Sequence, residues 1–168
     1  WFHAWIKWFL FGRFLLWLRQ WDYEAAQKND ILLTNSTTTQ NRVQKYYRRT
    51  SSILYPPIET ERFQKNISSS ASQNFFEKNS YYIILSALTE FKKIDIAIEN
   101  FKKIKNSNLL IIWEWEYRKF LEDMSIWSKN ICFSGAQYWD NLVYLVQNSL
   151  GLIFPGEEDF GIVPIEVM

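Results

Sequence analysis

Short apolar runs alternate with helical patterns along the second half of the chain. Four such runs predict buried strands, at residues 81–85, 109–112, 131–133 and 152–154. The segments between them predict helices, at about residues 94–104, 114–123 and 140–148. Strands that alternate with helices indicate right-handed crossovers and a parallel sheet covered on both faces. The predicted fold class is therefore α/β, and ligands of such sheets bind at the carboxyl ends of the strands.

The first of these helices has the clearest apolar face. Five of its side chains are predicted to face the sheet together: Ile94, Ala97, Ile98, Phe101 and Ile104. Steps of three and four residues connect these positions, which places them on one side of a helix. After the last predicted strand, a further helix is expected to begin near Pro164.

The first 28 residues are rich in aromatic side chains and are interrupted by Lys7, Arg13 and Arg19. Apolar residues recur there at helical spacing, at Leu10, Phe14, Trp17, Leu18 and Trp21. This pattern predicts one or two amphipathic helices. The favoured interpretation is that they pack against another domain, and the alternative is that they lie on a membrane surface.

A strand-to-helix turn follows this aromatic segment. Residues 31–33 predict a short strand, and the side-chain oxygens of residues 34–36 are suited to cap a helix over residues 36–47. Residues 52–55 predict another strand, which two prolines stop because they lack a backbone donor.

The middle of the chain is polar. Residues 64–80 contain five serines and three asparagines and predict a linker or a long loop. The domain boundary is therefore placed across residues 55–80. The chain opens on Trp1 and closes on Met168 directly after an apolar motif, so it is expected to be a fragment.

Charge and cysteine content narrow the function classes. The formal net charge of +1 argues against a dedicated nucleic-acid binder and favours a small or neutral ligand. Cys132, the single cysteine, lies in an apolar run, so it is expected to be a core residue rather than a nucleophile. Apolar runs are too short for a membrane span, which needs about 18 uncharged residues.

The most informative stretch, residues 154–166, reads Phe-Pro-Gly-Glu-Glu-Asp-Phe-Gly-Ile-Val-Pro-Ile-Glu. Seven residues separate Glu158 from Glu166. An ionised carboxylate only accepts hydrogen bonds, which suits a ligand rich in hydroxyl groups. Between the two, Gly161 lets the backbone approach a ligand, and N–H groups at a helix start favour a phosphate. An exposed acidic turn beside a structural helix is the alternative interpretation.

This stretch resembles the Glu-x7-Glu signature of the family 4 (group 1) retaining glycosyltransferases, in a mannosyltransferase-like subgroup. The resemblance implies the GT-B fold, in which a Rossmann-like parallel sheet with helices on both faces binds a nucleotide diphosphate sugar. It also implies that Glu158 contacts the donor sugar as the catalytic position and that Glu166 holds the ribose. The backbone at Phe160, Gly161 and Ile162 would line the donor site.

A second match covers residues 81–99, which resemble the first strand, loop and helix of the family's donor domain. Here Lys92 takes the position of the family's diphosphate-binding lysine. A cation is needed there because the leaving diphosphate bears charge as the glycosidic bond breaks. Many relatives carry arginine where this chain has Ala87, although similar sequences also read Ser-Ala-Leu. The resemblance implies no metal and no cofactor besides the donor substrate.

Two further matches fix the domain organisation. Residues 19–22 with residues 34–36 resemble the end of the acceptor domain, and residues 53–63 resemble the interdomain crossing. The resemblance thus implies the C-terminal part of an acceptor-side domain, an interdomain crossing with a loop, and a truncated donor-binding domain, at residues 1–54, 55–80 and 81–168.

The resemblance implies an enzyme that transfers a hexose, with mannose from GDP-mannose as the first expectation, to a glycan or lipid-linked acceptor with retention. A bacterial role in polysaccharide biosynthesis is expected, in the cytoplasm or at the inner face of the plasma membrane. The fragment itself is expected to be inactive. Two other classes stay open: a non-catalytic nucleotide-sugar-binding or scaffold module, and a membrane-surface protein that uses residues 1–21. His3 is expected to serve packing or to lie at the surface.

Tryptophan stands where the family carries glycine. Trp113 and Trp115 follow the predicted strand at residues 109–112, where relatives have a Gly-x-Gly turn, and Trp127 replaces another turn glycine. The chain has nine tryptophans and only five glycines, whereas average glycine usage is about 7%. Our hypothesis is that some tryptophans are UGA codons that the source organism reads as glycine. The alternative is that the indoles are real and stack on a nucleobase or fill a degenerate site.

Overall fold

A computed structural model of the chain describes residues 2–59, 61–64, 75–104 and 106–168. For residues 2–6, 64 and 139, the description covers the backbone alone. The chain divides into two compact units, residues 1–57 and 58–168.

The first unit contains two helices and two short strands: α1 Phe2–Gln27, β1 Leu33–Thr34, α2 Thr37–Tyr47 and β2 Ser52–Ile53. The two strands pair in parallel. The predicted capping of α2 is confirmed, because the Ser36 hydroxyl accepts a hydrogen bond from the Thr39 N–H at 3.1 Å. The first strand lies later than predicted, and Ile31 is outside it and exposed.

The aromatic segment forms a single helix, α1, whose apolar side chains do not share one face. Four consecutive residues, 8–11, are all exposed apolar side chains, and together they span more than one helical turn. The prediction of an amphipathic stripe is therefore wrong for this helix, whose exposed apolar residues lie all round it. Among the described residues, no helix is both long enough and apolar enough to cross a bilayer.

The second unit is built on a four-stranded parallel sheet in the order β5-β4-β3-β6. Its strands are β3 Tyr81–Leu85, β4 Asn108–Ile112, β5 Ile131–Gly135 and β6 Gly151–Leu152. Its α-helices are α3 Glu61–Gln64, α4 Ile94–Phe101, α5 Arg118–Ser125, α6 Trp139–Gln147 and α7 Ile162–Glu166. The predicted alternation of strands and helices is confirmed.

Both faces of this sheet are buried, as a parallel sheet between helices requires. Neighbouring side chains of β3 point to opposite faces, so Ile84 packs with α4 and α5, whereas Ile83 and Leu85 pack with α6. At the start of β3, the Tyr81 hydroxyl donates a hydrogen bond to the Leu145 carbonyl oxygen at 2.8 Å. Burial raises the pKa of Tyr81 to about 12.

The predicted apolar face of α4 is confirmed for four of its five residues. Ile94, Ala97, Ile98 and Phe101 are buried in one cluster, but the helix ends at Phe101 and Ile104 is 47% exposed. The helix ends at Phe101, so Ile104 is not part of α4 and does not lie on its apolar face.

The polar segment after the first unit is not a linker throughout. Phe75 and Phe76 pack against the cluster that covers the α6 face of the sheet, and the Asn79 N–H donates to the Asn148 carbonyl oxygen at 2.8 Å. Residues 75–80 form no helix or strand, as the alternative of a long loop expects, and this loop packs against the body of the second unit. Residues 65–74, which carry most of the serines, lie outside the described residues.

Candidate functional site

All four strands of the second unit run parallel, so their carboxyl ends meet at one edge of the sheet, here called the carboxyl edge. The loops at this edge follow β3, β4, β5 and β6 at residues 86–93, 113–117, 136–138 and 153–161. Because β3 and β6 are neighbours, the first and last of these loops are adjacent. They carry Lys92 and Glu158, which lie far apart in the sequence.

Lys92 and Glu158 form an ion pair at the carboxyl edge, between Nζ and Oε1. Their side chains are 17% and 26% exposed, so water screens this pair less than it screens a surface pair. Burial lowers the pKa of the Lys92 ammonium, whereas a carboxylate in direct contact favours the charged form. The site therefore offers one cation and one hydrogen-bond acceptor side by side.

Gly156 allows these two loops to meet. A Cβ atom at this position would lie 2.9 Å from the Lys92 carbonyl oxygen and 3.0 Å from the Lys92 Cα. Backbone atoms cannot swing away as the end of a flexible side chain can, so any larger residue would push the loop outward. The glycine thus brings Glu158, two residues further along, within reach of Lys92.

Lys92 ends a 3-10 turn, Glu90–Lys92, directly before α4. Lys93 follows in the left-handed conformation with a φ of 56°, and its N–H donates to the Glu90 carbonyl oxygen at 3.2 Å. Thr89 precedes the turn, and its hydroxyl is buried with no hydrogen-bond partner in the described part of the chain. A buried unpaired hydroxyl is costly, and neither spacing nor hydrophobic pattern singled this residue out.

Glu166 lies on a separate element from Lys92 and Glu158. It is the last residue of α7, a five-residue helix that begins after Gly161, and its side chain is half-buried. Gly161 is buried with a φ of 77°, a conformation that favours glycine and turns the chain from the acidic loop into the helix. Within the described ranges, no hydrogen bond or ion pair joins Glu166 to Lys92 or Glu158.

The remaining residues of the predicted donor loop differ in exposure. Phe160 is half-buried, whereas Ile162 is 43% exposed. The structure thus joins Lys92 and Glu158 directly and places Phe160, Gly161 and Ile162 on the chain that continues from Glu158 into α7. Ala87, at the position where many relatives carry arginine, is half-buried in the loop after β3.

The other half of the carboxyl edge consists of the loops after β4 and β5. Arg118 Nη1 donates to Glu114 Oε1 at 2.8 Å, and Arg118 Nε donates to Glu122 Oε1 at 2.7 Å. The Tyr117 N–H donates to the Leu88 carbonyl oxygen at 3.2 Å and ties this loop to the one that leads to Lys92. The helix predicted from residue 114 begins only at Arg118, because residues 113–117 make this turn.

Trp113 and Trp115 lie at this edge, whereas Trp127 lies between α5 and β5, before that strand begins. The three side chains occupy different environments. Trp113 is half-buried, and its ring meets that of Tyr138 edge to face with centroids 5.8 Å apart. Trp115 is 60% exposed, and Trp127 is 93% exposed. Trp113 therefore fills space beside Tyr138 at the ends of β4 and β5, while the other two indoles project largely into solvent.

Two further sequence predictions concern residues away from this edge. Cys132 lies on β5 and packs against the cluster on the α6 face, and burial raises the pKa of its thiol. The cysteine is only partly buried, so it borders the core in which it was predicted to lie. The side chain of His3 lies outside the described residues.

The family model for glycosyl transferases group 1 matches residues 65–168. Two similar proteins are each described as GDP-Man:Man(3)GlcNAc(2)-PP-Dol alpha-1,2-mannosyltransferase. The one from Candida glabrata is 23% identical over 167 residues, which cover 88% of this chain and 32% of the relative. The one from Eremothecium gossypii is 25% identical over 179 residues, which cover 94% and 30%. The chain spans about a third of the length of these relatives.

Solved structures share the fold. WaaG, a glycosyltransferase involved in lipopolysaccharide biosynthesis, matches with a TM-score of 0.64 and 21% identity over 81% of this chain and 41% of that one. Sucrose-phosphate synthase from Thermosynechococcus elongatus matches with a TM-score of 0.69 and 13% identity over 89% and 41%. The predicted GT-B type of α/β fold is confirmed. With a family model that covers more than half of its length, the chain belongs to the group 1 glycosyl transferases.

Proposed function

We propose that the protein containing this chain is a retaining glycosyltransferase that transfers mannose from GDP-mannose to a glycan or lipid-linked acceptor. Family membership supports transfer from a nucleotide sugar. The two mannosyltransferases among its relatives support mannose and a lipid-linked acceptor. The observation that carries the proposal is the partly buried pair of Lys92 and Glu158 at the carboxyl edge, where parallel sheets bind their ligands.

Lys92 is suited to hold the donor diphosphate. Its ammonium lies at the end of a turn at the carboxyl edge, where its side chain is 17% exposed and so remains accessible. As the bond between the anomeric carbon and the diphosphate oxygen breaks, negative charge grows on that oxygen. A fixed cation stabilises this charge more in a partly dry site than in water.

Glu158 is suited to orient the transferred sugar. Its carboxylate accepts hydrogen bonds from hydroxyl groups, and the contact with Lys92 holds it next to the point where diphosphate and sugar join. When a donor binds, its diphosphate competes with Glu158 for the lysine. The carboxylate then becomes free to accept from the sugar.

Glu166 is suited to bind the ribose. A carboxylate accepts two hydrogen bonds from a vicinal diol, and half-burial strengthens such bonds. The backbone of Phe160, Gly161 and Ile162 leads from Glu158 to this helix and would line the donor between its two ends. These roles need neither a metal nor another cofactor.

The setting of the reaction is also a proposal. A lipid-linked acceptor places the enzyme at a membrane surface, and we infer the cytoplasmic face of the plasma membrane in a bacterial pathway of polysaccharide synthesis. The lipopolysaccharide enzyme among the structural matches is consistent with this setting through its fold alone.

Calorimetric titration tests the donor assignment. The complete gene product would be titrated with GDP-mannose and with UDP-glucose, and Glu166→Ala would be compared with Glu157→Ala. Glu157 is an exposed carboxylate in the loop that leads to α7, and it serves as the matched control. Saturable binding of GDP-mannose that only Glu166→Ala weakens, by about 1.5 kcal/mol or more, is expected for a lost charged hydrogen bond.

Two results would count against the proposal. A folded protein that binds neither donor contradicts the assignment of the site. Binding without mannose transfer to lipid-linked glycan acceptors would instead favour a non-catalytic nucleotide-sugar-binding module.

A further inference from the structure

Residue 113 has a backbone conformation that tryptophan does not normally adopt. Among the described residues, four that are not glycine have positive φ, and three of them lie between 54° and 56°. That value is close to the left-handed helical region at about +57°, which single residues visit. Trp113 has a φ of 119°, well outside this region. For a bulky residue, such a φ is an outlier, whereas glycine adopts it freely.

The surrounding backbone fixes this conformation. Trp113 directly follows β4, and its N–H donates to the Gly135 carbonyl oxygen at 3.0 Å, which continues the sheet ladder by one residue. Four residues later, the Tyr117 N–H is held by the Leu88 carbonyl oxygen. The chain therefore turns between two anchored points, and both anchors are backbone hydrogen bonds that do not involve the side chain at position 113.

Two other tryptophans of this unit, Trp115 and Trp127, make no packing that accounts for their size. Trp115 and Trp127 leave most of their surface in water, although burial is the main contribution of an indole to stability. Neither has a positive φ. The structure therefore distinguishes position 113, whose φ favours glycine, from positions 115 and 127, whose φ does not.

We propose that residue 113 is glycine in the native protein, because a codon translated here as tryptophan is read as glycine in the source organism. We extend this proposal to positions 115 and 127. Reading these codons as glycine would lower the count of nine tryptophans and raise the count of five glycines. Glycine at position 113 removes the ring beside Tyr138 and leaves the ends of β4 and β5 open. The identity of this residue is independent of the proposed function, since it can be measured whether or not the protein transfers sugar.

Peptide masses of the protein isolated from its own cells provide the direct test. Trypsin releases residues 106–118, which contain both Trp113 and Trp115, and residues 120–129, which contain Trp127. Residues 20–28 contain Trp21 in a Trp-Asp pair that matches the family, so this peptide is the internal control and should retain tryptophan. Glycine at position 113 supports the proposal, and tryptophan at position 113 overturns it.

Recombinant variants supply a second test that needs no native material. In the complete gene product, Trp113→Gly is compared with Trp113→Ala, and Trp127→Gly with Trp127→Ala as the control pair. If the backbone at position 113 requires glycine, its glycine variant has the higher denaturation midpoint of the pair. At position 127 alanine should equal or exceed glycine, because no positive φ favours glycine there. A glycine variant no more stable than the alanine variant at position 113 would contradict the proposal.

Discussion

The two halves of the carboxyl edge differ in how well the sequence suits the backbone. In the half formed by β3 and β6, glycine stands where the chain approaches Lys92 most closely, and glycine also stands where φ is positive before α7. In the half formed by β4 and β5, the position with a φ of 119° holds tryptophan. Gly135 in this second half also meets a positive φ of 72° with glycine, and Lys93 in the first half has the left-handed φ of 56°. The disagreement is therefore confined to Trp113, beside Tyr138.

This difference teaches that the backbone conformation of a position can indicate which residue type suits it, even where another residue stands there. The conflict at Trp113 directly follows a packed strand, since residues 109–112 of β4 are fully buried, and the pairing of β4 with β5 is irregular between Ile111 and Ile112. A strained φ costs roughly 1–3 kcal/mol and persists only where the surroundings over-determine it. The packed sheet supplies that constraint here.

The largest expected effect comes from breaking the half in which sequence and backbone agree. Glu158→Gln removes the negative charge but keeps the size of the side chain, so it weakens both the partner of Lys92 and the acceptor that we propose for the sugar. We expect the rate of mannose transfer to fall by about 100-fold or more, the scale for loss of one electrostatic contact in a transition state. Steady-state kinetics measure it, with Glu157→Gln as the exposed neighbour that should keep its rate.

A smaller effect is expected from crowding the same half. Gly156→Ala places a methyl group against the Lys92 backbone and should destabilise the protein by about 1–3 kcal/mol, as overpacking does. Denaturant unfolding measures this loss. Gly151→Ala is the matched control, because its nearest neighbour would be the Tyr82 ring at 3.9 Å. Equal losses for the two variants would refute the close approach at Gly156.

The smallest effect is expected in the other half. Arg118→Ala breaks two ion pairs of one exposed turn, with Glu114 and Glu122 60% and 42% exposed. Because solvent screens such pairs, the free energy of unfolding should fall by less than about 1 kcal/mol. Lys119→Ala on the same helix controls for the change in helix propensity. A loss above about 2 kcal/mol would show that this half depends on the arginine more than its exposure indicates.

Buried strands could be predicted from the sequence because their pattern is local. Residues 81–85 are five apolar side chains in a row, and the predicted strand has the observed bounds. Element ends were less predictable. The helix expected from residue 114 begins at Arg118, because the turn at Trp113 is anchored by Gly135 and Leu88, which are distant in the sequence. Phe75 and Phe76 fall in the segment predicted as a linker or a long loop, and the sequence does not reveal that they pack against the core.

The candidate site could be predicted only in part. Resemblance to the family named Lys92, Glu158 and Glu166, and their roles stay predictions. Their sequence positions do not reveal that Lys92 touches Glu158, because that contact depends on β6 lying beside β3 in the sheet order. The buried hydroxyl of Thr89 was missed, since nothing in a hydrophobic pattern marks a polar atom that lacks a partner.

The central claim is that Lys92 holds the diphosphate of a nucleotide sugar, and calorimetry with GDP-mannose tests it most directly. Lys92→Met keeps the length of the side chain and removes its charge, and Lys93→Met does the same at the exposed neighbouring residue. The account predicts a dissociation constant at least about tenfold higher for Lys92→Met, the scale of a charged hydrogen bond, and an unchanged one for Lys93→Met. Unaltered affinity in a folded Lys92→Met variant would contradict it.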